Sequence, residues 1–203
     1  MILLKPPKAF CMLALAHGAG AGMRHAFMEA LAQALFAEGV ATLRYDFPYM
    51  AAEKGRIDAA EVLEATVREA VTAAAKHRLP LFAGGKSMGG RMTTQAQAQE
   101  PMPGLKGIAL FGFPLHLAKK PSTKRADHLP GVTVPMLFLQ GTRDELAPLP
   151  LLQPVLRKLP NATLHIVEGA DHGFHVLKRS GRTGEEVLRE LAVTFAEWAR
   201  ARL

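Results

Sequence analysis

Apolar runs of strand length alternate with segments of helical period along the whole chain, and this alternation constrains the fold more than any other feature. The apolar runs are continuous rather than interleaved with polar residues, which is typical of parallel strands covered by helices on both faces. We therefore predict an α/β fold with a doubly wound, mostly parallel sheet of about six strands joined by right-handed crossovers. The predicted strands lie near 10–16, 40–45, 80–84, 107–112, 134–140 and 163–167.

Three of the segments between and after the strands carry apolar residues at helical spacing, so each is predicted to pack one face of a helix on the sheet. A chain of 203 residues fits one domain, and no polar linker or repeat divides it. We predict a single domain over residues 1–203, with no insertion large enough for a cap. The apolar stripes are Phe27, Leu31 and Leu35; Leu63, Val67, Val71 and Ala74; and Leu188, Leu191, Phe195 and Trp198.

Composition narrows the classes of partner. The net charge is +7, but the basic residues are scattered and aromatic residues make up only 6%, so we expect no nucleic-acid partner. No apolar run approaches the length of about 20 residues that spans a bilayer, so we expect no membrane partner. The single cysteine, Cys11, allows no internal disulfide and no metal-ligand spacing, which predicts a cytoplasmic protein without a metal site.

The segment GGKSMGGRM begins where the third predicted strand ends, and it contains the pattern G-x-S-x-G at 85–89. In this pattern the serine occupies a tight strand-to-helix turn, and glycines on either side let neighbouring backbones approach closely. A glycine-rich loop that binds phosphate at a helix N-terminus is the alternative interpretation. Because suitable partners follow later in the chain, we favour Ser87 as a nucleophile. Lys86 precedes it and could cap a helix or pair with an acid.

A serine nucleophile needs a base and an acid that orients the base, and in this strand-turn-helix setting the chain order is serine, acid, histidine. The turn QGTRDELAP, after the fifth predicted strand, offers Asp144, with Glu145 as its competitor. The loop EGADHGFHV, after the last predicted strand, offers His172. We favour Asp144 and His172 because of their positions in these loops. The competing histidines lie at a helix end, inside a strand and near an apolar stretch, namely His77, His165 and His175.

Acyl chemistry also requires two backbone N–H groups that stabilise the developing oxyanion. We predict that Met88 supplies one and that Ala19, in the loop HGAGAG after the first strand, supplies the other. His17 and Gly18 in the same loop, together with His116 after the fourth strand, are predicted to contact the substrate. The dinucleotide pattern G-x-G-x-x-G is not satisfied in the HGAGAG loop, so we expect no cofactor.

Taken in order, HGAGAG, RYDFPY, GGKSMGGRM, FGFPLH, HLP, LQGTRDEL and GADHGF resemble the KANL/Tex-like branch of the α/β-hydrolases, which is related to the dienelactone hydrolases. The resemblance covers nearly the whole chain. It implies the α/β-hydrolase fold, hydrolase activity and a catalytic triad of Ser87, Asp144 and His172. The sequence departs from a common form of the branch at 117–119, where LAK stands in place of Pro-Pro-Gly.

These observations predict a carboxylesterase-like serine hydrolase that acts on a small acyl ester through an acyl-enzyme, as a monomer or homodimer. An acyltransferase or peptidase with the same triad, and a non-catalytic interaction module with the same fold, are the alternatives. The long connection 114–130 carries a basic cluster, Lys119 to Arg125. This cluster is expected to be ordinary solvated surface or, alternatively, a rim that attracts short acyl esters with an anionic group.

Overall fold

The computed structural model describes residues 1–53 and 55–203. In this part of the chain a single sheet has seven strands in the order β1-β3-β2-β4-β5-β6-β7. All neighbouring strands are parallel except β1, which pairs antiparallel with β3. The strands are β1 (Ile2–Leu4), β2 (Cys11–Ala16), β3 (Val40–Tyr45), β4 (Leu81–Lys86), β5 (Leu105–Phe111), β6 (Met136–Gly141) and β7 (Ala162–Val167).

Helices lie on both faces of this sheet. The last helix begins with a capping box, in which the Thr183 hydroxyl accepts the Glu186 amide and the Glu186 carboxylate accepts the Thr183 amide. Among the described residues, no helix combines the length and apolar character needed to cross a bilayer. The helices are α1 (Ala26–Ala37), α2 (Pro48–Ala51), α3 (Ala60–Ala75), α4 (Met88–Gln99), α5 (Leu149–Leu156) and α6 (Gly184–Arg200).

The six predicted strands correspond to β2 through β7, and β1 is an addition at the sheet edge. β1 has only three residues, too few to show a period of its own in the sequence. β4 continues to Lys86, two residues beyond the predicted end at 84, and this extension brings the strand directly to Ser87. The serine of G-x-S-x-G therefore follows directly on the last residue of β4.

Both faces of the central strands are buried, as the continuous apolar runs predict. β2 illustrates this, because its alternate residues enter two separate hydrophobic clusters on opposite sides of the sheet. The side with α3 and α4 receives Met12, Ala14 and Ala16, and the side with α1 and α6 receives Cys11, Leu13 and Leu15. Because β2 and β4 to β7 run parallel, the loops after their C-terminal ends meet at one edge of the sheet.

The segment between β5 and β6 crosses over α4, where His128 faces Thr94 at 2.8 Å from Nε2 to Oγ1. Burial lowers the pKa of His128 from 6.5 to about 4, with a further lowering by the Arg91 guanidinium. Above pH 6.5 the ring is neutral in both the folded and the unfolded chain. As the pH falls from 6.5 towards 4 the unfolded chain takes up this proton first, so folding stability is lost in that window.

We therefore expect the wild-type free energy of unfolding to fall between pH 6.5 and 4 by about 1–2 kcal/mol more than that of His128→Gln, after allowance for partial exposure. Glutamine can still donate to Thr94 but does not titrate. Denaturant unfolding at several pH values measures the difference. Parallel pH dependence in the two proteins would contradict the assignment.

Candidate active site

Ser87 lies in the turn between β4 and α4, with φ of 51° and ψ of −117°. The glycines on either side are required by close packing. A Cβ added at Gly85 would lie 2.5 Å from the Ala16 carbonyl oxygen, and one at Gly89 would lie 2.5 Å from the His17 carbonyl oxygen. The pattern G-x-S-x-G is therefore a consequence of α4 packing directly against the end of β2.

Hydrogen bonds connect Ser87, His172 and Asp144 across three loops. The distance from Ser87 Oγ to His172 Nε2 is 2.8 Å, and that from His172 Nδ1 to Asp144 Oδ2 is 2.7 Å. With the proton on Nδ1 donated to the carboxylate, Nε2 is free to accept the serine hydroxyl proton. Asp144 is 3% exposed, whereas Glu145 is exposed to solvent, so the structure brings Asp144 and not Glu145 to the histidine.

The Asp144 carboxylate is held by further donors. The Leu146 amide donates to Oδ1 at 2.8 Å, and the side-chain amide of Gln140 donates to Oδ2. Gln140 is itself oriented, because its Oε1 accepts the Phe113 amide at 3.0 Å. Gln140 was not predicted from the sequence. The available signal was a polar residue near the end of the otherwise apolar strand β6.

The loop that carries His172 has its own internal support. The Asp171 carboxylate accepts the backbone amides of Gly173 at 2.8 Å and His175 at 2.9 Å. Phe174 has a positive φ of 64°, which turns its ring back into the protein. The side chain of His175 is 84% exposed and its Nδ1 lies 3.4 Å from Asp171 Oδ1, so the ring is not a core packing residue.

Lys86 reaches the same loop from the end of β4. Its ammonium donates to the main-chain carbonyl of His172 at 2.5 Å and lies 5.9 Å and 5.4 Å from the ring centroids of Phe27 and Phe174. Partial removal from water lowers the pKa of Lys86 to about 8, although the carboxylates of Asp144 and Asp171 act in the opposite direction. Lys86 is thus neither a helix cap nor, within the described residues, half of a close ion pair.

A cavity of about 660 Å³ opens beside Ser87 and His172. One wall is the loop after β2, which includes Gly18 and Ala19, and most of the remaining wall is apolar. The basic cluster from Lys119 to Arg125 does not contribute to this wall. The apolar wall comprises Phe27, Met28 and Ala30 from α1 together with Leu146, Phe174 and Leu188.

Two backbone amides are available near Ser87. Neither the Met88 amide, at the first residue of α4, nor the Ala19 amide donates to an acceptor within the part of the chain that the structure describes. Ala19 lines the cavity, and its loop is anchored by the Tyr49 hydroxyl, which donates to the Ala19 carbonyl at 2.8 Å. Gly18 lies so close that a Cβ there would be 3.6 Å from the Ser87 Cβ.

His17 and His116 require a correction, because the structure places neither in the cavity wall. His17 is fully buried, with Nε2 accepting the Phe47 amide at 3.0 Å and Nδ1 facing the Gly18 carbonyl at 2.7 Å. Burial lowers the His17 pKa, which keeps the ring neutral. His116 is 3% exposed, and its Nδ1 faces the Leu117 carbonyl. Both histidines lie outside the cavity wall and bond to backbone groups.

At 117–119 the turn keeps a conformation that suits glycine, although Lys119 stands in place of glycine. Lys119 has a positive φ of 58°, a conformation that glycine adopts without strain and that other residues rarely adopt. The turn is closed by the Lys120 amide, which donates to the Leu117 carbonyl at 3.0 Å.

Within residues 1–53 and 55–203, no group of three or more His, Cys, Asp or Glu side chains is arranged to bind a metal.

A doubly wound sheet whose strand ends carry a serine on a strand-to-helix turn, followed in the chain by an acid and a histidine, defines the class of the α/β-hydrolases. The family model described as alpha/beta hydrolase domain matches residues 9–200. The chain therefore belongs to this family. The narrower KANL/Tex-like branch stays a prediction.

Solved structures share the fold. A dienelactone hydrolase from Anabaena variabilis is 22% identical, with 99% of this chain and 90% of that chain covered and a TM-score of 0.76. For a monoacylglycerol lipase from Paleococcus ferrophilus the identity is 14%, the coverage 100% and 98%, and the TM-score 0.73. An α/β serine hydrolase without lid from Xanthomonas campestris is 19% identical, with 95% and 87% covered and a TM-score of 0.69. These likenesses confirm the predicted fold, and the described residues form no separate cap domain.

Proposed function

We propose that the protein is a serine hydrolase that cleaves acyl esters through an acyl-enzyme on Ser87. The observation that carries this proposal is the hydrogen-bonded series of Ser87, His172 and Asp144, which ends at the wall of an apolar cavity. A serine hydroxyl is a weak nucleophile unless a base accepts its proton, and His172 Nε2 lies at the distance this transfer needs. The family membership and the lipase and dienelactone hydrolase among the structural relatives are consistent with ester chemistry.

In the first half of the proposed reaction, Ser87 Oγ attacks the ester carbonyl carbon while His172 Nε2 takes the hydroxyl proton. The carbonyl oxygen becomes an oxyanion, which the amides of Met88 and Ala19 stabilise. The tetrahedral intermediate then collapses, the C–O bond to the alcohol breaks, and the imidazolium returns its proton to the leaving oxygen. Asp144 keeps the ring oriented and stabilises its charged form.

In the second half, water replaces the alcohol. The water oxygen attacks the acyl carbon while His172 Nε2 takes one proton from the water. The same proton then passes to Ser87 Oγ as the acyl–serine bond breaks. The products are a carboxylic acid and the regenerated serine. Net consumption is one water for each ester.

The lining of the cavity indicates which class of substrate the site would bind. Its wall is largely apolar, and the basic cluster from Lys119 to Arg125 lies outside it, so we propose a neutral substrate with an apolar group of several carbons. A preference for short acyl esters with an anionic group, expected from the basic cluster, gains no support from that cluster because it lies outside this wall. Apolar burial contributes about 0.8 kcal/mol per methylene group, so kcat/KM should rise with acyl length until the cavity is full.

A panel of p-nitrophenyl esters from acetate to dodecanoate, with a p-nitroanilide of the best acyl group, tests the proposal. We expect turnover of the esters with a maximum in kcat/KM at medium length, and much slower cleavage of the anilide. Turnover of the anilide alone would indicate a peptidase. No turnover of any member, together with no acylation of Ser87, would overturn the proposal.

Filling the cavity should change the length preference selectively. Ala30 lies in the cavity wall on α1, so Ala30→Phe should lower kcat/KM for the octanoyl ester by about tenfold or more while changing that for acetate less than about threefold. Ala37→Phe is the matched control, because Ala37 lies on the same helix outside the cavity wall. Equal losses for both esters in Ala30→Phe would show that the cavity does not hold the acyl group.

A further inference from the structure

We propose that Lys86 is a positioning residue that holds the His172 loop, and with it the imidazole, in register with Ser87. The ammonium bonds to the main-chain carbonyl of His172 itself, and Lys86 immediately precedes Ser87 in the chain. One side chain therefore joins the residue beside the proposed nucleophile to the proposed base. This inference rests on the proposed function, because it assigns Lys86 a part in the same reaction.

The surroundings fit a lysine that reaches across to this loop. Gly112, which follows β5, leaves the space for it: a Cβ at Gly112 would lie 3.1 Å from the Lys86 ammonium and 3.5 Å from the His172 carbonyl oxygen. The rings of Phe27 and Phe174 stack at 5.8 Å, and both lie within 6 Å of the ammonium. Cation–π attraction and a charge-assisted hydrogen bond thus act together on the same loop.

Placing a cation at this position also costs free energy, because the charge is partly removed from water. The Lys86 ammonium lies beside two stacked aromatic rings and an apolar cavity, and its pKa is lowered because the charged form loses water. The charged groups that act on it, the carboxylates of Asp144 and Asp171, form no ion pair with it within 4 Å in the described part of the chain. A methionine of similar length would pack against the same rings without this desolvation cost. A lysine is therefore explained better by what its N–H groups do for the His172 loop than by folding stability.

The decisive variant is Lys86→Met, which keeps the length of the side chain and removes the charge and the donor. We expect kcat for the best ester to fall about 10- to 100-fold while KM changes less than about threefold, because misplacing the base affects the transition state and not substrate binding. Lys86→Arg keeps a cationic donor and should recover part of the loss. The melting temperature of Lys86→Met should be unchanged or higher. Lys106→Met, at an exposed position on β5, is the matched control and should leave kcat unchanged.

A second measurement does not depend on turnover. The rate at which a fluorophosphonate acylates Ser87 depends on proton transfer to His172 Nε2 and not on hydrolysis of an ester. We expect this labelling rate to fall in Lys86→Met by about the same factor as kcat, because the base is misplaced in both reactions. Lys86→Arg should recover part of the rate, and Lys106→Met should be labelled at the wild-type rate.

Three results would overturn the proposal. An unchanged kcat and an unchanged rate of Ser87 labelling in Lys86→Met would show that the contact is incidental. A raised KM with an unchanged kcat would make Lys86 a substrate contact instead. A loss of kcat with a lower melting temperature and an unchanged rate of Ser87 labelling would reduce its role to stability. If wild type hydrolyses no ester, ester hydrolysis fails as the proposed function, whereas the labelling rate still tests whether Lys86 acts on the base. If Lys86→Met does not fold, Lys86→Gln serves in its place.

Discussion

Replacement of Ser87 with alanine should reduce kcat for ester hydrolysis on the order of a million-fold, because no other group in the site supplies the acyl acceptor. The hydroxyl is the part of the side chain that contacts His172, so KM and the fold should change little. Intact-mass analysis after treatment with a fluorophosphonate gives the clearest measurement. Wild type should gain one adduct, and Ser87→Ala should gain none.

The matched control is Ser122→Ala, which removes the hydroxyl of a serine in the segment after β5, away from the cavity wall. This variant should be labelled at the wild-type rate. Labelling that persists in Ser87→Ala would place the nucleophile elsewhere, and peptide mapping of the adduct would then locate it.

Asp144→Asn should lower kcat about 10⁴-fold with little change in KM. An asparagine can present its amide N–H to His172 Nδ1, which favours the wrong imidazole tautomer and leaves Nε2 protonated and unable to accept the Ser87 proton. Removing the charge also removes the stabilisation of the imidazolium. Steady-state kinetics with the best ester measures the loss, and circular dichroism checks the fold.

Glu145→Gln provides the internal comparison for Asp144→Asn, because it makes the same chemical change at the adjacent residue. Glu145 is exposed to solvent, and the Leu146 and Gln140 donors bond to Asp144 instead, so this variant should retain near-full activity. The opposite result, with activity lost in Glu145→Gln and kept in Asp144→Asn, would show that the acid has been assigned wrongly.

The sequence predicted the sheet well because its strands are buried on both faces and appear as continuous apolar runs. β1 escaped prediction because its pairing with β3 depends on a tertiary contact and not on a local pattern. The positions of Ser87, Asp144 and His172 were predictable for a related reason. Parallel strands bring the loops after their C-terminal ends together, so residues far apart in sequence could be expected at one edge.

Residues that act through neighbours were harder to predict. Gln140 and Lys86 each bond to another site residue, and which residue that is depends on side-chain directions that the sequence does not specify. His17 and His116 were predicted to contact substrate, but the structure places neither in the cavity wall. Both lie in the predicted loops, but the direction of their side chains places them in the interior, where their rings bond to backbone. The nature of the cavity wall depended on α1 and α6 converging, which no single motif encodes.

The backbone at Ser87 has a consequence for how this site evolves. With φ of 51° and ψ of −117°, the residue occupies a region that glycine adopts freely and that a side chain makes unfavourable by about 1–3 kcal/mol. A glycine would relieve the strain, so selection for a thermostable scaffold alone would favour the substitution Ser87→Gly. A serine at this position therefore lowers the stability of the protein in exchange for one hydroxyl in the cavity wall.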